Sequence, residues 1–161
     1  MTIGYTCMGK GDKKVVVLPG WLGDHTVFKP TFNALDLENF TYIFIDYRGY
    51  GKSKKLTGDY SMAEIAGDVI ALVDEMNVKQ FHLIGHSMGG MAIQKVILDI
   101  DQPERVLSAI AITPVPACGS QLDEASASLC YGSIDSDKNR YDIFNFGTSG
   151  RLPSSWLHYY G

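Results

Sequence analysis

One stretch decides the fold of this chain: Phe81-His82-Leu83-Ile84-Gly85-His86-Ser87-Met88-Gly89-Gly90. It joins an apolar run that is typical of a buried strand to a helical pattern that begins at Met88, and it carries Ser87 in the pattern G-x-S-x-G. In such a turn the serine takes a strained backbone conformation, and the chain approaches itself too closely for side chains at positions 85 and 89. The stretch therefore predicts a nucleophile elbow, with a plain strand–turn–helix connection as the alternative.

Apolar, β-branched runs on either side of this stretch indicate further strands. They cover residues 14–18, 41–45 and 106–113, and the strand that enters the elbow covers 79–85. Continuous runs of this kind are typical of strands that are buried on both faces of a parallel sheet. Because helical patterns alternate with the strands from residue 15 to residue 113, we expect an α/β fold with a doubly wound, mostly parallel sheet.

The helical segments between the strands carry their own signals. Segment 24–35 has apolar residues at helical spacing, with Asp24 or Thr26 as the candidate N-cap. Ser61-Met62-Ala63-Glu64 is a capping box that opens a second helix. Sites in such sheets form beyond the carboxyl ends of the strands. Loops 19–24 and 46–53 and Ser87 all follow strand ends, so we expect them at one edge of the sheet.

Composition excludes several classes of protein. The 161 residues are 45% hydrophobic and 20% charged, which is typical of an ordinary globular protein. The net charge of −4 argues against nucleic acid or an anionic membrane as a partner. Residues 1–12 contain no signal-like segment, so we expect a cytoplasmic protein. The widely spaced Cys7, Cys118 and Cys130 fit reduced thiols better than disulfides or a zinc site, and we expect no metal.

The sequence pattern of alternating strands and helices ends at about residue 116. Segment 117–161 contains no further buried-strand run, and it offers a helix candidate around 122–129. An aromatic tract follows, with Tyr141, Phe144, Phe146, Trp156, Tyr159 and Tyr160. We therefore expect residues 1–116 to form the core and residues 117–161 to begin a helical lid or cap, with a disordered tail as the less favoured alternative.

Three motifs, in order along the chain, resemble the α/β-hydrolase fold family over about residues 2–116. Leu18-Pro19-Gly20-Trp21 resembles its oxyanion loop, although the family more often has histidine where Pro19 stands. Asp46-Tyr47-Arg48-Gly49-Tyr50-Gly51-Lys52-Ser53 resembles its D-x-R-G-x-G-x-S turn, and residues 85–90 resemble its nucleophile elbow. The resemblance implies that Ser87 is a nucleophile and that the backbone N–H groups of Trp21 and Met88 form an oxyanion hole.

The family's catalytic acid and histidine follow later strands, and such strands are not recognisable here. The chain therefore resembles the N-terminal portion of a longer hydrolase. Among its histidines, His25 and His86 are candidates for lining the pocket, and His82 is expected to be a satisfied core histidine. His158 follows Ser87, and four aspartates lie between them: Asp123, Asp135, Asp137 and Asp142. We favour the interpretation that these are surface residues of the lid.

The resemblance implies a serine hydrolase of a small carboxylic ester, thioester or lactone, which acts through an acyl-enzyme and needs no cofactor. Two alternatives remain open. One is non-hydrolytic chemistry on the same fold, such as C–C cleavage or cofactor-free peroxidation, and the other is a non-catalytic ligand-binding protein. Beyond a small-molecule substrate, we expect association with a missing C-terminal half or with a second copy, because the last strand leaves one sheet edge unpaired.

Overall fold

The computed structural model describes residues 2–119, 121–151 and 153–155. The chain forms two compact units, residues 1–118 and 119–161. The first unit contains one five-stranded sheet whose spatial order is 1-3-2-4-5. Its strands are β1 (Tyr5–Met8), β2 (Lys13–Leu18), β3 (Phe40–Ile45), β4 (Phe81–His86) and β5 (Val106–Ile112).

Two α-helices and three 3-10 helices connect these strands. The α-helices are α1 (Met62–Glu75) and α2 (Met88–Asp99). The 3-10 helices cover His25–Ala34, Gly51–Ser53 and Pro103–Arg105. Strands β2 to β5 pair in parallel, whereas β1 is antiparallel to β3. The predicted α/β fold with a mostly parallel sheet is confirmed.

The sheet has apolar packing on both faces. Val16 and Leu18 of β2 are fully buried in the cluster that contains side chains of α1 and α2. Val15 and Val17 belong to a second cluster, with Phe44 and aromatic residues of the first 3-10 helix. Successive side chains of a strand point to opposite faces, and both faces of β2 are covered, so this strand is an uninterrupted apolar run.

The segment after residue 24 was predicted to be helical, and it winds as a 3-10 helix. The Asp24 carboxylate caps it by accepting a hydrogen bond from the Thr26 N–H at 2.7 Å. Pro30 lies inside the helix and has no N–H to donate, which disfavours a regular α-helical hydrogen-bond ladder. Phe28 and Phe32 still contact the sheet, since their ring centroids lie 5.5 and 5.1 Å from that of Phe44.

The serine half of the capping box predicted for α1 is present, whereas the glutamate binds the two residues before the N-cap. The Ser61 Oγ accepts a hydrogen bond from the Glu64 N–H at 3.1 Å. The Glu64 carboxylate accepts in turn from the N–H groups of Asp59 and Tyr60, at 3.1 and 2.9 Å. The helix therefore starts where the sequence pattern placed it.

The prediction of a core position for His82 is wrong. The side chain is half-buried, and its Nδ1 lies 2.8 Å from the Oγ of Ser108 on β5. In register it lies beside Val15, on the sheet face that packs against the first 3-10 helix. That packing does not extend to β5, so His82 has a hydrogen-bond partner without being part of the core.

Strand β5 forms one edge of the sheet and is largely exposed. Its large apolar side chains Leu107, Ile110 and Ile112 are 51%, 54% and 45% exposed. The strand contains neither proline nor a charged residue, which are the features that usually protect a sheet edge from pairing with another chain. This edge is therefore competent to pair with a further strand.

Over residues 121–151 the second unit forms helices α3 (Glu124–Gly132) and α4 (Asp137–Gly147). Asp123 and Ser136 cap them, accepting hydrogen bonds from Ser126 N–H and Asn139 N–H at 2.7 and 3.2 Å. Helix α3 overlaps the predicted candidate 122–129, and α4 occupies the start of the aromatic tract. Trp156, His158, Tyr159 and Tyr160 lie outside the described residues. The interpretation of 117–161 as a cap stays a prediction.

In the part of the chain that the structure describes, no helix is both long and apolar enough to cross a bilayer.

Candidate active site

The turn after β4 holds Ser87 in a strained backbone conformation. Its φ of 53° and ψ of −117° lie in a region that residues other than glycine rarely adopt. The Ser87 N–H donates to the Ile112 carbonyl at 2.9 Å, and the Ser87 carbonyl accepts from the N–H groups of Gly90 and Val115, at 2.9 and 3.1 Å. These hydrogen bonds fix the conformation from the end of β5 and from the first turn of α2.

The close approach predicted at positions 85 and 89 is present. A Cβ atom added to Gly85 would lie 2.2 Å from the carbonyl oxygen of Gly89. One added to Gly89 would lie 2.5 Å and 2.6 Å from the carbonyl oxygens of Leu18 and Pro19. Since these neighbours are backbone atoms, neither position accepts a side chain without moving the strand or the helix.

The loop after β2 lies against the serine. A Cβ atom added to Gly20 would lie 3.2 Å from the Ser87 Cβ and 3.1 Å from the His86 Nδ1. Trp21, the next residue, has an indole that is 39% exposed, and Met88 is the first residue of α2. The structure thus brings Ser87 and His86 against the loop that carries Trp21, with the N-terminus of α2 following directly.

The N-terminus of α2 is suited to negative charge. The N–H groups of a helix's first turn have no acceptor within the helix, and the helix dipole adds a partial positive charge at this end. Backbone donors of this kind stabilise an anionic oxygen without reorganisation. The Met88 N–H therefore fits the predicted role of an oxyanion donor.

The two histidines proposed to line the pocket differ in their surroundings. Desolvation lowers the pKa of His86 below its ordinary value, so the ring is neutral at pH 7. The His25 Nδ1 lies 3.0 Å from both carboxylate oxygens of Asp46, which is fully buried. Their contact with a ligand stays a prediction.

Asp24, His25 and Asp46 each bring a possible metal-ligating atom within 4.8 Å of the others. Their hydrogen bonds account for this grouping without an ion. Asp24 accepts from the N–H and Oγ1 of Thr26, at 2.7 and 2.6 Å. Asp46 accepts from the N–H groups of His25 and Lys52, at 2.8 and 2.9 Å. We therefore assign these residues to loop structure.

The turn at 46–53 is tied to α1 through the side chain of Arg48. The Arg48 guanidinium makes two hydrogen bonds to the Asp68 carboxylate, at 2.8 and 2.7 Å, and a third to the Thr57 carbonyl at 3.0 Å. The bond to Asp68 raises the pKa of Arg48. Arg48 therefore holds the turn against α1 and Thr57.

Within residues 2–119, 121–151 and 153–155, Ser87 Oγ has no hydrogen bond to a histidine or a carboxylate. Three of the four aspartates that lie between residue 116 and His158 in the sequence have local partners. Asp123 caps α3, Asp137 pairs with Arg140, and Asp142 pairs with Lys138. His158 lies outside the described residues. These contacts agree with surface roles for the aspartates.

Sequence reasoning missed the side chains that hold the loop after β2. Asp46 and Tyr47 of the following turn both contact this loop. One signal was present, because Asp46 and Tyr47 directly follow the buried strand β3, at the sheet edge that carries Ser87. The spacing of the motif alone does not reveal which loop these side chains reach.

A parallel α/β sheet with a serine on a strained strand–helix turn is the arrangement of the α/β hydrolases. The family model described as alpha/beta hydrolase fold matches residues 13–157. The chain belongs to this family.

Relatives and solved structures support this assignment. The esterase EaEST from Exiguobacterium antarcticum is 25% identical with a TM-score of 0.80, over 98% of this chain and 62% of that chain. Est816, described as an N-acyl homoserine lactone degrading enzyme, is 26% identical with a TM-score of 0.75, over 98% of this chain and 60% of that chain. The 2-hydroxy-6-oxononadienedioate/2-hydroxy-6-oxononatrienedioate hydrolase of Escherichia coli O81 (strain ED1a) is 27% identical over 164 residues, 92% of this chain and 55% of that protein. The chain thus spans between 55% and 62% of the length of these proteins.

Proposed function

We propose that this chain supplies the nucleophile and the oxyanion hole of a serine hydrolase that acts on a small carboxylic ester, thioester or lactone. The observation that carries the proposal is the conformation of Ser87, strained at φ 53° and lying against the loop that contains Gly20. Strain of this kind is retained where surrounding structure enforces it, and it is concentrated at functional sites.

The proposed reaction follows from these positions. The Ser87 Oγ forms a bond to the carbonyl carbon while a base removes the hydroxyl proton, and the carbonyl π electrons move to oxygen. The N–H groups of Trp21 and Met88 donate to that oxyanion. When the carbonyl re-forms, the bond to the alcohol or thiol leaving group breaks, and the protonated base returns the proton to it. Water then releases the acid from the acyl-enzyme by the same steps.

The base in this proposal is a histidine paired with a carboxylate outside the chain. The chain spans 60% of the solved lactone-degrading enzyme and 62% of the solved esterase. The remaining parts of those two proteins are long enough to carry further catalytic groups. Without a base a serine hydroxyl is a weak nucleophile. We therefore expect slow acylation by this chain alone and faster acylation when a base is supplied.

Two other functions use the same site. The Escherichia coli relative is named as a hydrolase of a dienedioate, and its similarity favours a second candidate, hydrolysis of a C–C bond beside a ketone. A non-catalytic binding protein would keep the fold and the pocket but would not need a reactive serine. Reaction of Ser87 with an electrophile separates the two enzymatic functions from binding.

The test is covalent labelling of Ser87 by a fluorophosphonate, followed by intact mass, with and without imidazole as a soluble base. We expect one adduct, which forms faster with imidazole and is lost in Ser87→Ala. Ser128→Ala changes an exposed serine of α3 and is the matched control. A folded chain that shows no adduct under either condition, or that keeps the adduct in Ser87→Ala, contradicts the proposal.

A further inference from the structure

Loop 19–25 runs from the end of β2 to the first residue of the 3-10 helix, and side chains of turn 46–53 hold it at two points. The Tyr47 hydroxyl donates to the Pro19 carbonyl at 2.7 Å. The Asp46 Oδ1 accepts from the His25 N–H at 2.8 Å. The held residues therefore lie on both sides of Trp21 in the loop.

The side chains that make these contacts are themselves fixed. Asp46 is fully buried and Tyr47 is 4% exposed. The Asp46 carboxylate also accepts from the Lys52 N–H at 2.9 Å. Burial raises the pKa of Tyr47, so its hydroxyl keeps the proton that it donates. A buried charge with several hydrogen bonds holds its partners firmly, because losing any of them leaves a polar group unpaired.

We infer that Asp46 and Tyr47 are positioning residues that fix the Trp21 N–H for its role in the oxyanion hole. The inference rests on the proposed function. An oxyanion donor contributes most when it is fixed before the reaction begins, and a displacement of about 1 Å can cost about 10²-fold in rate. Asp46 and Tyr47 hold the loop on either side of the donor without touching the substrate.

The competing explanation is that these contacts only stabilise the fold. Ser53 provides the matched control, because it is fully buried in the same turn. Its Oγ accepts from the Gly4 N–H at 2.7 Å and donates to the backbone carbonyl of Asp46 at 2.8 Å. The loop is held by the Asp46 carboxylate, to which Ser53 makes no hydrogen bond. Ser53→Ala should therefore lower the stability of the turn without releasing the loop.

The first measurement is the rate of Ser87 labelling by a fluorophosphonate as a function of probe concentration. Tyr47→Phe removes only one hydroxyl, and Asp46→Asn keeps the shape of the side chain while removing its charge. We expect the saturating rate to fall about 10-fold in Tyr47→Phe and up to about 10²-fold in Asp46→Asn. The half-saturating concentration should stay within about twofold in both variants, and Ser53→Ala should label at the rate of the parent chain.

The second measurement does not depend on the reaction. The chain has two tryptophans, Trp21 and Trp156, so Trp156→Phe leaves Trp21 as the single fluorophore of this type. In that background we expect acrylamide to quench Trp21 at least about twofold more strongly in Tyr47→Phe and Asp46→Asn than in the parent, because release of the loop exposes the indole further. Ser53→Ala should leave quenching unchanged.

The two measurements separate the possible failures. If the parent chain is not labelled but the quenching of Trp21 increases in the variants as expected, the proposed function is wrong. The conclusion that Asp46 and Tyr47 hold the loop is then kept. If both variants leave the quenching of Trp21 unchanged, the positioning role is overturned whatever the labelling shows. Equal losses of labelling in Ser53→Ala and Tyr47→Phe would assign the contacts to stability alone. If Asp46→Asn does not fold, Tyr47→Phe decides the question.

Discussion

The N–H of Ser87 donates a hydrogen bond to the carbonyl oxygen of Ile112 at 2.9 Å. Ile112 is the last residue of β5, the exposed edge of the sheet. The strained residue of the elbow is therefore held in part by the strand with the least packing around it. Anything that stabilises β5 should also stabilise the elbow.

Replacing Ser87 by glycine should stabilise the chain. Glycine adopts positive φ readily, so Ser87→Gly removes a strain of about 1–3 kcal/mol, part of which is offset by the entropy of the unfolded chain. We expect the free energy of unfolding in urea to rise by about 1 kcal/mol, and labelling by a fluorophosphonate to be lost. Ser87→Ala lacks the hydroxyl but keeps the strain. Equal stability in the two variants would show that the conformation costs little.

Alanine at position 85 or 89 should be strongly destabilising. The added Cβ would lie 2.2 Å or 2.5 Å from backbone oxygen atoms, so strand and helix have to separate. We expect a loss of more than about 2 kcal/mol for either variant, measured by urea unfolding. Gly67→Ala is the control, because an added Cβ meets no atom within 4 Å there. Its position inside α1 predicts a gain of about 0.5–1 kcal/mol.

His86 should make stability depend on pH. Desolvation lowers its pKa in the folded chain, so the unfolded chain binds the proton more readily. The contribution of His86 to the free energy of unfolding is therefore complete above the pKa of the unfolded chain, about 6.5. It declines as the pH falls through the lower pKa of the folded chain. We expect the melting temperature of the parent chain to fall more steeply between about pH 7.5 and pH 5 than that of His86→Gln. If the melting temperatures of the two proteins change equally with pH, His86 is not the source of the pH dependence.

Strand β5 should cause copies of the chain to associate. Its edge is unpaired, and Leu107, Ile110 and Ile112 are about half exposed. We expect sedimentation velocity to show association that increases with concentration, and Ile110→Lys to reduce it, because a charged side chain disfavours pairing at an edge. Leu98→Lys replaces a residue of α2 that is 79% exposed, and it is the control for added charge. A parent chain that stays monomeric and melts sharply and reversibly would contradict this prediction.

The architecture was predictable because its signals are local. Continuous runs such as Val15 to Leu18 indicate burial on both faces, and Ser61 with Glu64 indicates a helix start. Pro30 was a visible warning against a regular α-helix, but the apolar spacing around it dominated the prediction. The error at His82 has a different cause, since its exposure depends on what packs beside β5 rather than on its own strand.

The local geometry of the site was predictable from the sequence, but the contacts between distant segments were not. The sequence motif indicated the glycine contacts around Ser87, because the turn geometry requires them within a few residues. The contacts from Asp46 and Tyr47 to loop 19–25 join segments more than twenty residues apart, and they depend on how β2 and β3 align. No spacing rule within one motif contains that information. The roles of Ser87, Trp21 and Met88 in catalysis stay predictions that labelling can test.

The two contacts on loop 19–25 have a consequence for how this protein can vary. The Pro19 carbonyl and the His25 N–H are backbone groups, so these two contacts depend on the number of residues between them. Insertion of a single residue between them would shift at least one backbone group away from its partner, whereas the side chain of Trp21 contributes to neither contact. During evolution we therefore expect the side chain at position 21 to change more readily than the length of the loop.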